Sequence, residues 1–167
     1  MSKMAQYNDA QEKHKYSTKI LEAVKSVECK GKLKAFFQNR FTYIRVSDDF
    51  SSIPTMILQP FGFQEVPLME KANSPKTHIS VMTYAEQRRV TRRQLKQVLR
   101  KWKNTVITFT IECVQTWPHT VKETGEKKWI CCFKISSNHI EAIRVELGLE
   151  SVVESFNMHL TVCEKLM

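Results

Sequence analysis

No run approaching eighteen consecutive apolar residues occurs in this chain, so no transmembrane helix is expected. Its first residues, MSKMAQYNDAQEKHKYS, carry charge and amide where a secretory signal carries its apolar stretch, and a cytoplasmic protein is expected. There is no CxxC and no zinc-type spacing. The five cysteines, Cys29, Cys113, Cys131, Cys132 and Cys163, are odd in number and sit mostly inside apolar runs, which suits buried thiols in a reducing compartment rather than a disulfide framework. Missing too are GxGxxG, the P-loop, G-x-S-x-G and H-E-x-x-H, which argues against a nucleotide fold of those kinds, a hydrolase elbow and a zinc peptidase. No residue-level repeat occurs, nor low complexity beyond a polar terminus.

At 167 residues and 42% hydrophobic, the chain can build one domain with a substantial core, and is too short for two ordinary ones. Residues 1–40 read as an N-terminal extension and helix packed on a domain spanning 41–167. A net charge of +9 points to a polyanionic partner: RNA, a nucleotide or an acidic surface.

Periodicity orders the elements. Ile20, Leu21, Val24 and Val27 predict a helix over 17–29. FTYIRV, 41–46, alternates as a strand, and Ser47, Asp48 and Asp49 start a helix that runs to about Leu58 and ends at Pro60 and Gly62. FQEVPLM, 63–69, is a short extended piece limited by Pro67, and the loop KANSPK leads into a strand at 77–83. Residues 85–102 carry the strongest helical pattern, with Leu95, Val98, Leu99 and Trp102 on one face. TVITFTIECVQTW and KKWICCFKIS pair as strands through a turn at Gly125. Asn138 and Glu141 suggest a capping box for a helix through Leu147, with Gly148 beyond its end, and FNMHLTVCEKL closes as a strand. Strands and a helix thus lead up to each of two histidine strands.

Those strands hold HISV and HLTV, about eighty residues apart. Residues two apart on a strand share a face, so His78 stands beside Ser80 and His159 beside Thr161, each pair backed by apolar residues. An imidazole can exchange a proton near neutral pH, and a hydroxyl can donate a hydrogen bond to a phosphoryl oxygen. Two copies could flank one phosphodiester, one His deprotonating the nucleophile and the other protonating the leaving oxygen. With five histidines, a bare H-x-[ST] is expected roughly 0.7 times by chance; requiring apolar neighbours lowers this to about 0.1. A half-buried strand histidine with a locally bonded hydroxyl is the ordinary alternative for either copy alone. Asp48 and Asp49 fall at a helix start, and Glu164, three residues after Thr161, is expected on the opposite strand face. No metal and no cofactor are expected.

The pair of H-Φ-[ST]-Φ motifs, with a helix and two strands between them, resembles the 2H phosphoesterase superfamily, the LigT-like enzymes. The resemblance implies an α/β (α+β), bilobal fold: two antiparallel sheets with a central cleft and helices outside. It implies His78 and His159 as the acid/base pair, and Ser80 and Thr161 as phosphate ligands. Implied substrates are RNA-related phosphodiesters: a 2′,5′-oligoadenylate, a cyclic dinucleotide, or a 2′,3′-cyclic phosphate end, cleaved by a monomer with no membrane partner. This sequence has Ser at position 80 where the family more often has Thr, and six residues follow Thr161. A basic RNA-binding module with structural histidines is the alternative.

Weaker signals surround the motifs. Arg88, Arg89, Arg92, Arg93, Lys96, Arg100, Lys101 and Lys103 make one helix strongly basic, able to steer a polyanion or simply to stay solvated. Trp117 and Trp129 bracket a basic turn with Lys122, Lys127 and Lys128, and could stack on bases or pack the hairpin. Tyr84, Tyr43 and Arg45 are further substrate-binding candidates. His119, read as a loop residue, and His139 read as surface histidines. Of Cys131 and Cys132, one is expected in the core and the other half-exposed.

Overall fold

A computed structural model describes residues 16–66, 77–151 and 158–166. Residues 16–24 form helix α1, followed by strands β1 (Lys30–Phe36) and β2 (Phe41–Val46) and helix α2 (Asp49–Leu58). A 3-10 turn, Gln59–Phe61, closes on Gly62 at φ 88°. Then come β3 (His78–Ser80), helices α3 (Tyr84–Gln87) and α4 (Arg92–Trp102), β4 (Ile107–Thr108), β5 (Thr110–Thr120), β6 (Lys127–Ser136), α5 (Asn138–Glu146) and β7 (His159–Leu166).

The seven strands form one antiparallel sheet in the order β4-β1-β2-β3-β7-β6-β5. This α+β architecture has an internal symmetry. A hairpin, a helix and an inner strand (β1-β2-α2-β3) are matched by a second hairpin, helix and inner strand (β5-β6-α5-β7). The inner strands pair at the centre through Ile79 and Leu160. Expectation had been of two sheets, whereas the described strands belong to a single one. Strand β1, within the first 40 residues, joins this sheet by pairing with β2.

One face of the sheet is dry. Leu33, Ile44, Ile79, Phe133, Leu160 and Val162 enter a single core with Ile20 and Val24 of α1, Phe50 of α2, Leu95 and Val98 of α4, and Ile140 and Ile143 of α5. The helices therefore pack on the face that Ile79 and Leu160 enter. His78, Ser80, His159 and Thr161 alternate onto the other face, where each is partly exposed.

Several elements differ from the periodicity reading, each for a local reason. The basic helix is two helices, because Thr91 interrupts it as an N-cap: its hydroxyl accepts from Gln94 N–H, and Gln94 reaches back to the Thr91 N–H. Thr83 and Glu86 make the same capping box for α3. The cap of α5 is Ser137, not Asn138; its hydroxyl accepts from Ile140 N–H at 3.2 Å. Gly148 lies past that helix with φ 79°, where a side chain would be strained. Phe109 divides the long strand into β4 and β5. The strand expected over 77–83 is the three residues of β3, and residues 67–69, 70–76 and 156–157 lie outside the described residues.

Strand β1 was not anticipated, although KGKLKAF alternates. Gly31 is required within it: a Cβ there would stand 2.4 Å from the Arg45 carbonyl oxygen. Gly31→Ala is therefore expected to destabilise the fold by about 1–3 kcal/mol, read from urea unfolding, because the obstacle is backbone. An unchanged midpoint would show that β1 can shift without penalty.

Candidate functional site

Cross-strand register builds the site. Ile79 faces Leu160, so one step either way sets His78 across from Thr161 and Ser80 across from His159, all four on the solvent-facing side. Lys32 pairs with Arg45 and Arg45 with His78, while Thr161 pairs with Cys132 and Cys132 with Gln115. A first row thus reads Lys32, Arg45, His78, Thr161, Cys132, Gln115. The neighbouring row reads Lys34, Tyr43, Ser80, His159, Lys134, Cys113. The two histidines are diagonal neighbours, whose backbones lie about 7–8 Å apart. Side chains on such a diagonal can reach one phosphate between them.

Three residues make a short strand, and β3 is fastened at both ends. Before it, the Thr77 carbonyl accepts from Arg45 Nη1 at 3.0 Å and from Val46 N–H at 3.3 Å, and the Thr77 hydroxyl donates to Asp48 Oδ1 at 3.0 Å. Arg45 Nη2 also donates to Asp48 Oδ2 at 3.2 Å. After it, Val81 N–H donates to the Thr42 carbonyl at 3.0 Å, and the Val81 carbonyl accepts from Arg144 Nη1 at 2.7 Å. His78 is held by these clamps more than by ladder length.

Each imidazole has aromatic neighbours. The His78 ring meets Phe41 and Tyr43 edge-on, with centroids 5.9 and 5.8 Å away. The His159 ring meets Trp117 in the same way at 5.4 Å. Such contacts limit ring rotation. Burial pushes the Tyr43 phenol above its ordinary value, against the pull of Arg45, so Tyr43 is neutral at physiological pH. Its ring packs against Phe36, Phe41 and His78.

Other expected site residues divide by strand parity. Trp117 and Arg45 join the histidine face. Trp129 does not: with Cys131 it lines a cavity on the helix side, together with Tyr16, Leu58 and Phe63. Lys127 shares that parity and is exposed at the end of β6. Tyr84 is exposed on α3, with the Arg88 guanidinium 5.8 Å from its ring centre. The basic helix α4 packs on the far side of the sheet from the histidines, which removes it from the immediate approach to them.

Two expectations fail at one irregularity. Pairing along β6 and β7 shifts between Cys131 and Cys132, leaving Val162 as an extra residue in β7. Val162 and Cys163 consequently both face the core, and Ser51 Oγ of α2 donates to the Val162 carbonyl at 2.6 Å. Beyond the bulge parity is reversed. Glu164, across from Ile130, shares the face of Thr161 rather than opposing it, and is paired with Lys128 at 3.2 Å. A bulge carries no composition signal strong enough to place it from sequence.

Cys132 is fully buried beside Thr161, its Sγ 4.0 Å from the Thr161 Oγ1, instead of half-exposed. Burial pushes its thiol up to about 12, partly opposed by the Thr161 contact, so it carries no thiolate near neutrality. Cys163 is pushed up by its hydrogen bond with Cys131 and by burial. All five cysteines are free. His139 accepts from Thr108 N–H at 3.0 Å and packs on Trp102, while His119 sits at the exposed end of β5, in a strand and not a loop.

Among the described residues, no group of three or more His, Cys, Asp or Glu side chains could hold a metal ion, and no helix is long and apolar enough to cross a membrane. No family model, curated protein or solved structure matches the chain.

Proposed function

We propose that this chain is a metal-independent phosphodiesterase of the 2H type, acting on RNA-related phosphodiesters in the cytoplasm as a monomer. The observation that supports this best is the diagonal placement of His78 and His159 on adjacent inner strands, each directly across from the other motif's hydroxyl residue. A phosphate seated between the two rows could accept hydrogen bonds from Ser80 and Thr161. One imidazole removes a proton from the attacking hydroxyl or water as its oxygen bonds to phosphorus. The other gives a proton to the oxygen that departs as the second P–O bond breaks. The matched hairpin, helix and inner strand on either side of the β3–β7 pair support this reading. Candidate substrates remain a 2′,5′-oligoadenylate, a cyclic dinucleotide and a 2′,3′-cyclic phosphate end.

A basic RNA-binding module in which both histidines are structural is the second reading. The edge-on packing of Phe41, Tyr43 and Trp117 against the imidazoles favours it. Loss of both histidines would leave the affinity of such a module intact.

Incubation with the three substrate classes, with products read by mass, separates the readings. Turnover of one class is expected, unchanged by EDTA. Because activity needs one ring neutral and the other protonated at once, kcat/KM should trace a bell against pH. Reversible loss in EDTA, restored by a divalent ion, would overturn the two-histidine mechanism.

A further inference from the structure

The histidine face is not electrically symmetric. On the C-terminal half its cations are matched by acids: Lys134 lies 3.5 Å from Glu112, and Lys128 lies 3.2 Å from Glu164. On the N-terminal half, β1 presents Lys30, Lys32 and Lys34 at alternate positions, all exposed. Lys32 lies across from Arg45 and Lys34 across from Tyr43, so this row shares the face of His78. Lys30 pairs with Glu28, but Lys32 and Lys34 have no ion-pair or hydrogen-bond partner among the described residues. They border a surface groove with Lys30, Arg45 and Ser47, in which four basic side chains outnumber the carboxylates of Glu28 and Asp49.

Past Lys34, at the end of this row, lies an aromatic patch. Phe36 and Phe41 stand 5.3 and 5.7 Å from the Tyr43 ring, and the Phe41 and Tyr43 rings both contact His78. Cations interleaved with rings are what a single-stranded nucleic acid requires: ammonium groups follow the phosphates and flat surfaces receive bases.

We infer that β1 and β2 form a track for single-stranded oligonucleotide leading away from the histidine pair, with Lys32 and Lys34 on phosphates next to the reacting one. The inference rests on the phosphodiesterase reading for the position of that reacting phosphate. Two strand spacings put the β1 backbone about 10 Å from that of β3, too far for these lysines to serve the phosphate held by His78. They can serve only a substrate that continues past the cleaved bond. The substrate class is therefore a linear oligonucleotide and not a cyclic dinucleotide, whose single phosphate besides the reacting one cannot engage both lysines. Basic helix α4, though more densely charged, lies across the sheet and presents no aromatic ring among its exposed residues.

The test is binding of a length series of labelled oligodeoxythymidylates, from the dinucleotide upward, followed by fluorescence anisotropy on the full chain. Affinity is expected to rise with length. In Lys32→Glu/Lys34→Glu the longer members should bind roughly tenfold more weakly, and the salt slope should fall by about 1.4, or 0.7 for each phosphate no longer neutralised. Lys32→Gln/Lys34→Gln should show the same direction with a smaller loss. His78→Ala/His159→Ala should retain the length dependence, so the track can stand even if no substrate is cleaved. Turnover of a cyclic dinucleotide with no length dependence in binding would leave the catalytic reading intact and remove the track. Affinity unaffected by the lysine changes would also overturn it, as would loss of binding on Arg92→Glu/Lys96→Glu alone. So would capture of phosphatidylserine vesicles through the same lysines with no oligonucleotide binding.

Discussion

Replacing either His78 or His159 by alanine is expected to lower kcat by roughly 10² to 10⁴, the usual worth of one general acid or base. Both should leave stability close to that of the parent, because both side chains are only partly buried on the open face. The double variant should lose less than the product of the single losses, since a proton taken and a proton given serve one transition state. Ser80→Ala and Thr161→Val should cost less and appear partly in KM, because a phosphate hydrogen bond is made in the ground state as well. Steady-state kinetics on whichever substrate the parent turns over reads all of these. Near-full activity in His159→Ala would exclude the paired mechanism and leave the histidines as packing partners of Trp117, Phe41 and Tyr43.

How much of this was legible beforehand depended on the range of the interaction that decides each feature. Strand alternation is local, so β2 and β6 read correctly to the residue, and the pairing of each histidine with its neighbouring hydroxyl followed from it. That the two motifs meet on adjacent strands is a matter of topology, which neither HISV nor HLTV states by itself; the register of Ile79 with Leu160 places them side by side. What could not be read was non-local. The bulge at Val162 reverses the faces of everything after it, and nothing in HLTVCEKL announces it. Trp129 and Trp117 look alike in sequence, yet cross-strand partners assign them to opposite faces. The lysines of β1 were legible in KGKLKAF, but their significance depends on Arg45 and His78 lying beside them.

Placement of β3 and stability meet at Arg144, which the sequence does not distinguish from any other helical arginine. Its side chain is fully buried and ion-paired with Glu86 at 2.7 Å. Nε donates to the Glu150 carbonyl at 2.9 Å, and Nη1 donates to the Val81 carbonyl and to Glu86 Oε1. Glu86 in turn accepts from Thr83 N–H at 2.9 Å. One guanidinium thereby ties α5 to α3 and to the residue that follows Ser80 at the end of β3.

Arg144→Met should therefore destabilise the fold by about 3–5 kcal/mol, as expected when one partner of a buried pair is removed and the other is left uncompensated. Glu86→Leu added to Arg144→Met should recover part of that loss, because the orphaned carboxylate is then gone. The pair also predicts a pH response. Burial pushes the Glu86 carboxyl up, but its bonds to Arg144 and Thr83 outweigh this and hold it below the usual glutamate range. A depressed folded-state value stabilises above the unfolded value of about 4.3, and that stabilisation is lost as pH falls through the lower folded value. Arg144→Met removes the main cause of the depression and leaves burial to push the Glu86 carboxyl up. The acid-range loss that Glu86 causes in the parent should therefore vanish, and the variant's deficit relative to the parent should narrow as pH falls. Urea midpoints measured across the acid range check both effects. Hydrogen exchange should also show Val81 N–H, bonded to Thr42 across the end of β3, losing protection before the amides of β6. Equal urea midpoints for parent and Arg144→Met across the whole pH range would show that the buried guanidinium neither anchors β3 nor sets the charge of Glu86.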